Sequence, residues 1–262
     1  MSPIDNQASA PLKLKLEGVS KHFFLHQRSD QALQVLQNVN VEVRAGECVA
    51  LDGSSGMGKS SILKMIFGNY LASSGHIWVK KTSDEWVDVA HAPVREVLQL
   101  RANTINYVSQ FLRIIPRIGA FDLVKQEALF HTHTQEMQSN SLVSLPALPI
   151  SKASEKELDE RVAQMLERLH IAPRLWHLPP STFSGGEQQR INLAKSLINP
   201  KPVLLLDEPS ASLDLTNAEI VIDLINAERR RGAAILGIFH DIDVKNALMT
   251  RSIPMSDFQP QL

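Results

Sequence analysis

The chain has 262 residues, of which 44% are hydrophobic, enough for one large domain or for a domain that carries an inserted subdomain. Its 27 basic and 28 acidic side chains nearly cancel, and without a basic excess we predict no nucleic-acid partner. The single cysteine, Cys48, excludes an internal disulfide and favours a reducing compartment, with the thiol buried in the core.

The polar residues 1–11 predict a flexible N-terminal tail and lack the basic pair and apolar core of a signal peptide. No segment approaches the ~20 consecutive apolar residues of a membrane helix, so we predict a cytoplasmic protein with no direct membrane insertion. Alternating apolar and polar residues over 12–43 predict half-exposed strands, with separate strands at 35–39 and 39–43. Further along, we predict a buried strand at 47–52, a helix at 60–67, a β ribbon at 77–89, a helix at 94–101 and a buried strand at 105–108.

The middle of the chain changes character. Helical patterns at 120–130 and 155–170 flank residues 131–154, where Ser, Thr, Pro and Gln predict a surface loop or mobile insertion. Strands and helices alternate again after Gly186, with a helix ending at 198, a strand at 203–206, a helix at 217–231, a strand at 234–239 and a helix at 244–249. The order predicts a parallel α/β core interrupted by a helical block.

A P-loop pattern follows the buried strand and precedes a predicted helix. Its glycines allow backbone N–H groups to surround a phosphate, and the helix N-terminus adds a favourable dipole. Lys59 is expected to reach the β- and γ-phosphates, and the Ser60 hydroxyl is expected to join a Mg²⁺ coordination shell. The residues predicted to bind ATP in this motif are Gly53, Ser54, Ser55, Gly56, Met57, Gly58, Lys59, Ser60 and Ser61.

Two consecutive carboxylates, Asp207 and Glu208, end the apolar run that starts at Val203. A parallel strand delivers such groups to the carboxyl edge of the sheet, where nucleotides bind. We predict that Asp207 holds Mg²⁺ through water and that Glu208 polarises the water that attacks the γ-phosphate.

Several further features accompany these two motifs. The run SGGEQQR begins with Ser184, Gly185, Gly186 and Glu187. Gln110 follows one predicted strand, His240 follows another, and Asp214 lies within the tripeptide SLD. In this order the set resembles the nucleotide-binding subunits of ABC ATPases over about residues 12–249. The resemblance implies an α/β P-loop NTPase (RecA-like) core with an antiparallel β subdomain, covering 12–110 and 182–262, and an inserted helical subdomain at 111–181.

The same resemblance implies site roles. Ser184, Gly185, Gly186 and Glu187 form a signature that closes on the ATP held by a second ABC subunit, identical or different. Gln110 contacts Mg²⁺ or the attacking water, His240 contacts the γ-phosphate, and Asp214 couples the two sites across the dimer. Phe23 stands where the family stacks an aromatic ring on adenine. Packing within the β subdomain is nearly as good an interpretation of Phe23, and Phe24 is the alternative if the register is shifted by one.

Finer sequence details resemble the PhnL-type ATP-binding subunits of bacterial carbon–phosphorus lyase systems, namely segments 24–27, 84–88, 108–117, 174–187 and 233–241. That resemblance implies ATP-driven dimer closure that remodels a soluble complex of carbon–phosphorus lyase core subunits. It also implies an association with α-D-ribose 1-methylphosphonate 5-triphosphate synthase. Two alternatives stay open. One is the ATPase of an ABC transporter, a phosphonate importer or a lipoprotein or macrolide exporter, peripheral to the membrane. The other is a non-catalytic, ATP-gated assembly factor.

Overall fold

The computed structural model describes residues 10–25, 31–110, 112, 117–139 and 152–260. The chain forms two structural units. One unit comprises Met1–Tyr107, Lys201–Asp207 and Ile225–Leu262, and the other comprises Val108–Pro200 and Glu208–Leu224. Most of the predicted N-terminal tail, residues 1–9, lies outside the described residues.

The first unit contains a four-stranded antiparallel sheet with the strand order β2-β1-β4-β5. Leu14 pairs with Val43 on one side and Val79 on the other, and all three are fully buried, as the alternation of apolar residues requires. The strands are β1 (Leu12–Leu25), β2 (Gln31–Arg44), β4 (Ser74–Lys80) and β5 (Trp86–Asp88).

The prediction of separate strands at 35–39 and 39–43 is wrong, because β2 is one continuous strand of 14 residues. The ladder between β1 and β2 changes register several times, including between Val19 and Lys21. Asn38 adopts a left-handed φ of 52° in this part of β2. The irregularity absorbs the polar interruption that suggested a strand break in the sequence.

A second sheet in this unit has the order β6-β7-β8-β3-β9, and β7, β8, β3 and β9 pair in parallel. Every residue of β7 and β8 is buried, which explains their uninterrupted apolar sequences. The strands are β3 (Cys48–Asp52), β6 (Ile105–Val108), β7 (Val203–Asp207), β8 (Ala234–Ile238) and β9 (Arg251–Pro254).

Buried apolar side chains and helices complete the first unit. Ile62, Leu63 and Ile66 are fully buried on α1, which packs against β7 and β8. Cys48 is also fully buried, and burial raises the pKa of its thiol to about 12, which confirms the predicted core role. The helices that begin in this unit are α1 (Lys59–Ile66), α2 (Val94–Asn103) and α7 (Ile242–Leu248), and it also contains the end of α6 (Leu215–Arg230).

Three helices form the core of the second unit: α3 (Ala120–Ser139), α4 (Lys152–Arg168) and α5 (Gly185–Leu197). They pack pairwise through apolar side chains that include Val124, Val162 and Leu193, all fully buried. This unit contains the predicted helical subdomain 111–181 and also takes in residues 108–110, 182–200 and 208–224, which the sequence assigns to the core. The packing of α5 on α3 and α4 accounts for the inclusion of residues 182–200.

The predicted loop at 131–154 is corrected at both ends, since α3 continues to Ser139 and α4 starts at Lys152. Residues 131–139 contain no Gly or Pro, so nothing stops the helix at 130 despite the polar composition. Residues 140–151 of the predicted insertion lie outside the described part of the chain. Among the described helices, none combines the length and apolarity that crossing a bilayer requires.

Candidate nucleotide-binding site

The loop between β3 and α1 has the backbone of a phosphate cradle. Gly56 and Gly58 adopt left-handed φ values of 85° and 83°, which side chains rarely allow. A Cβ atom at Gly58 would also lie 2.9 Å from Val35 Cγ1 and from Leu36 Cδ2. Residues 53–56 are exposed, so a ligand can reach this loop.

Lys59 is the first residue of α1 and is only 8% exposed. Its ammonium donates hydrogen bonds to the carbonyls of Gly53 at 2.5 Å and Ser54 at 2.9 Å. A cation held against a loop of exposed N–H groups at a helix start forms a donor set that fits a polyphosphate. These contacts bring the lysine and the glycine-rich loop together, and the predicted contact of Lys59 with the β- and γ-phosphates stays a prediction.

Asp207 ends β7 and meets the helix start through its side chain. Its carboxylate is 4% exposed, and Oδ1 accepts a hydrogen bond from the Ser60 hydroxyl at 3.0 Å. A hydroxyl and a carboxylate side by side are hard oxygen ligands, the type that Mg²⁺ prefers. The pair therefore fits the predicted Mg²⁺ site.

Tyr107, which sequence reasoning missed, holds the other oxygen of this carboxylate. Its hydroxyl donates to Asp207 Oδ2 at 2.9 Å, from β6, which neighbours β7 in the sheet. Burial raises the pKa of the Tyr107 hydroxyl, and the nearby charge of Asp207 raises it further. The phenol therefore keeps the proton that it donates. A tyrosine one residue from the end of a predicted buried strand is the signal that could have identified it.

We expect Tyr107→Phe to need roughly tenfold more Mg²⁺ for half-maximal ATP hydrolysis. Hydrogen bonds to charged groups contribute about 1.5–3 kcal/mol, and without this donor Asp207 loses its fixed orientation. The phenylalanine keeps the ring contact with Phe67, whose centroid lies 5.1 Å away. Mg²⁺ titrations at saturating ATP measure the effect.

The control is Tyr70→Phe, which changes the only other tyrosine of the chain. Its ring meets Phe23 edge-on at 5.7 Å and is 37% exposed. Equal Mg²⁺ dependence in the two variants and the parent would show that Tyr107 does not position the carboxylate.

In the second unit, Gln110 and Glu208 are in direct contact. Gln110 Nε2 donates to Glu208 Oε2 at 2.9 Å, and Asn192 Nδ2 donates to the carbonyl of the preceding Ser109 at 2.6 Å. Glu208 has a left-handed φ of 55°, a region that costs a residue with a side chain about 1–2 kcal/mol. Such backbone strain concentrates at functional sites. A half-buried carboxylate next to an amide suits the binding of a water molecule.

The signature residues form the N-terminus of α5. Ser184 Oγ accepts from the Glu187 N–H at 3.3 Å, and Glu187 Oε2 accepts from the Ser184 N–H at 2.9 Å and its hydroxyl at 2.7 Å. This arrangement is a capping box. The hydrogen bond from the Ser184 hydroxyl, and to a smaller extent that from the Ser184 N–H, lowers the pKa of Glu187. A Cβ atom on Gly186 would lie 2.9 Å from the carbonyl oxygen of Ser212, whereas Ser184 and Gly185 are exposed.

Asp214 is exposed and lies just before α6. Its Oδ1 accepts from the backbone N–H of Asn217 at 2.9 Å and from the Asn217 amide at 2.8 Å. The carboxylate therefore has a local role at the start of this helix, beside the coupling role predicted for it.

His240 and Phe23 belong to the first unit. His240 is exposed and follows β8, at the same end of the strand where Asp207 ends the neighbouring β7. Phe23 is half-buried, packs on Tyr70 and lies with its ring centroid 4.7 Å from the Lys21 ammonium. The packing interpretation of Phe23 therefore has its contacts, while adenine stacking stays a prediction. The side chain of the alternative, Phe24, lies outside the described part of the chain.

Sequence comparisons place these features in a known family. The family model described as ABC transporter matches residues 36–211. The lipoprotein-releasing system ATP-binding protein LolD of Alcanivorax borkumensis is 31% identical over 219 residues, covering 82% of this chain and 84% of LolD. The macrolide export ATP-binding/permease protein MacB of Brucella abortus is 31% identical over 237 residues, 90% of this chain. The chain spans about a third of that relative's length.

Among solved structures, a dimeric post-hydrolysis state of the ATP-binding cassette MJ0796 bound to ADP and Pi is similar. It matches with a TM-score of 0.76 and 25% identity, covering 92% of this chain and 93% of that chain. A second dimeric MJ0796 structure, of a bacterial ABC transporter cassette, matches with a TM-score of 0.76 and 24% identity, covering 92% of this chain and 94% of that chain. With its P-loop, its two sheets and its helical insert, the chain therefore belongs to the ABC transporter family, as an ATP-hydrolysing domain with the ABC cassette fold.

Proposed function

We propose that this chain hydrolyses ATP as one half of a dimer and uses the resulting closure and opening to drive a partner protein. The observation that carries the proposal is the full hydrolytic set of residues. In one unit Lys59 contacts the P-loop and Ser60 contacts Asp207, and in the other unit Gln110 contacts Glu208. A non-catalytic assembly factor would have no need for the last of these contacts.

In the proposed mechanism, Lys59 and the N–H groups of the P-loop bind the β- and γ-phosphates. Ser60 would hold Mg²⁺ directly, Asp207 would hold it through water, and Gln110 would be a further ligand of the ion or of the attacking water. Bound Mg²⁺ supplies neutralisation of phosphate charge. Glu208 accepts the proton of the attacking water as the water oxygen bonds to the γ-phosphorus, and the bond from that phosphorus to the bridging oxygen breaks, so that ADP leaves.

Other residues complete the nucleotide site in this proposal. His240 contacts the γ-phosphate, and Phe23 stacks on the adenine ring. Ser184, Gly185 and Gly186 offer the open N–H groups and hydroxyl of the α5 start to the ATP of the second subunit. Glu187 keeps that start ordered through the capping box, and Asp214 links the two sites. MJ0796, described as a dimer bound to ADP and Pi, supports this arrangement.

The names of the relatives support a membrane transport system as the partner. MacB is a macrolide export ATP-binding/permease protein, and LolD is the ATP-binding protein of a lipoprotein-releasing system. In this candidate function the chain is a peripheral subunit bound to a permease that is encoded elsewhere or in the same polypeptide. The relatives support this candidate better than the next one.

The second candidate is the ATP-binding subunit of a carbon–phosphorus lyase system, linked to ribose methylphosphonate triphosphate synthesis. This candidate is favoured by four segments that resemble that subunit: 84–88, 108–117, 174–187 and 233–241. Large parts of these segments lie outside the residues that ATP chemistry requires. In this candidate function, dimer closure remodels a soluble enzyme complex that contains the lyase core subunits.

The deciding experiment is affinity purification of the tagged chain from phosphonate-grown cells, with soluble and membrane fractions analysed separately by mass spectrometry. The Glu208→Gln variant is purified with ATP, because blocked hydrolysis should keep the dimer closed. The Lys59→Ala variant shows which partners are recovered without ATP binding. A permease in the membrane fraction assigns the chain to transport. Lyase subunits in the soluble fraction assign it to phosphonate breakdown. A chain that never dimerises with ATP contradicts the proposal in both forms.

A further inference from the structure

Two histidines and an aspartate converge at the edge of the antiparallel sheet. His76 lies on β4, Asp88 ends β5, and His91 follows in the turn before α2. The Nδ1 atoms of both histidines lie 2.7 Å from the same oxygen, Asp88 Oδ2. One potential ligand atom from each residue lies within 4.8 Å of the other two. None of the residues assigned to nucleotide binding belongs to this cluster.

Asp88 is fixed by the backbone on its other oxygen. Oδ1 accepts from the N–H groups of Ile77 at 2.9 Å and Ala90 at 3.2 Å, and the side chain is 14% exposed. Burial raises the pKa of Asp88, but the hydrogen bonds from His76, Ile77, His91 and Ala90 together outweigh it and lower the pKa. With Oδ1 held by the backbone, Oδ2 faces the two imidazoles. Backbone support of this kind orients metal-binding carboxylates.

Both imidazoles are accessible, and that of His76 packs against a neighbouring aromatic ring. Their side chains are 52% exposed for His76 and 62% for His91, so an ion and its water ligands can reach them. The ring of His76 stacks on Trp78 with the centroids 5.7 Å apart and the planes 21° apart. Trp78 Nε1 in turn donates to Glu17 Oε2 at 2.7 Å. The histidine on β4 is thus held in place by an indole that is itself anchored.

We propose that His76, Asp88 and His91 form a binding site for one divalent transition-metal ion, with Zn²⁺ as the best match. Two imidazole nitrogens and one carboxylate oxygen suit Zn²⁺, whereas Mg²⁺ and Ca²⁺ prefer oxygen ligands alone. Each histidine would bind through Nδ1, so the proton now donated from Nδ1 to Asp88 moves to Nε2 or to solvent. Three protein ligands leave at least one position for water. The ion would tie β4, β5 and the turn before α2 together.

The test titrates Zn²⁺ into the purified full chain by calorimetry, without nucleotide, with millimolar Mg²⁺ present to occupy oxygen-only sites and with a histidine-free affinity tag. We expect one saturable site per chain. His76→Gln and His91→Gln should each bind about tenfold more weakly or worse, and the double variant should lose the site. His177→Gln, which removes an exposed histidine elsewhere in the sequence, should bind like the parent.

Fluorescence gives an independent measurement, because an open-shell ion such as Co²⁺ quenches an indole close to it. Co²⁺ should quench the fluorescence of the parent saturably, whereas the double variant, which keeps the indole of Trp78, should show no saturable quenching. Zn²⁺ should also raise the Tm of the parent but not of the double variant. Because both histidines are exposed, we expect their replacement to leave the fold intact. The Tm of each variant, measured without metal, checks this expectation. Unchanged Zn²⁺ binding in the double variant, or no saturable binding in the parent, would overturn the proposal.

Discussion

Glu208→Gln is expected to lower the ATP turnover of this chain by roughly 10²- to 10⁴-fold, the range typical of a lost general base. Glutamine keeps the size and the polar contact with Gln110, but it cannot accept the proton of the attacking water. ATP binding should be retained, because Glu208 does not belong to the P-loop. Phosphate release at saturating ATP and Mg²⁺ measures turnover, and size-exclusion chromatography with ATP should show an increased fraction of dimer.

The matched control is Glu219→Gln, an exposed glutamate on α6, which should hydrolyse ATP at the parental rate. If Glu208→Gln also turned over ATP at that rate, another group would have to activate the water and the mechanism would be wrong. Reduced turnover with normal ATP binding is the result that isolates the chemical step.

Lys59→Ala is expected to weaken ATP binding by roughly 30-fold or more, since truncating one partner of a buried charge pair costs about 2 kcal/mol or more. Hydrolysis should fall to background at physiological ATP. The ammonium is the one side-chain cation that contacts the P-loop carbonyls among the described residues, so no neighbour replaces it. Displacement of a fluorescent ATP analogue measures Kd.

Lys64→Ala provides the control on the same helix. Lys64 lies on α1 five positions further along, with its ammonium 5.5 Å from the centroid of the Tyr70 ring. Its removal should leave the Kd for ATP unchanged. Because Lys59 is nearly buried, thermal unfolding of both variants must show that the fold is intact. A folded Lys59→Ala protein with parental ATP affinity would contradict the assigned role.

The parts of the site that the sequence predicted are the local ones. A glycine-rich loop between a buried strand and a helix, and a strand that ends in Asp207, need only a few consecutive residues to define them. The contact between Ser60 and Asp207 follows because parallel strands end at one edge of the sheet. Gln110 and Glu208 follow strands in the same way, and the structure places them within hydrogen-bonding distance.

What the sequence did not predict depends on distant partners. Strand β9 is short and mostly exposed, so it has no apolar run, and only its pairing with β3 defines it. Tyr107 gains its role from Asp207, which lies one hundred positions further along the chain. The cluster of His76, Asp88 and His91 depends on the pairing of β4 with β5. Each of these contacts forms only when the sheets pair, so its partners are not defined by neighbouring residues alone.

Partner identity is a different kind of gap. The residues that bind and hydrolyse ATP are needed by every subunit of the family, whatever it drives, so their presence says nothing about the driven protein. Information about the partner must therefore come from segments outside these motifs, and part of the segment after Gln110 lies outside the described residues. Biochemical recovery of the partner is therefore the step that sequence reasoning cannot replace.

The left-handed backbone at Glu208 has an evolutionary consequence. Asn and Gly adopt that conformation with less strain than Glu, so selection for stability alone would favour replacing the glutamate. A library selected only for heat resistance should accumulate such replacements at position 208, whereas a library selected for growth that depends on ATP turnover should keep Glu. The difference between the two outcomes would measure how much folding free energy the protein gives up for catalysis.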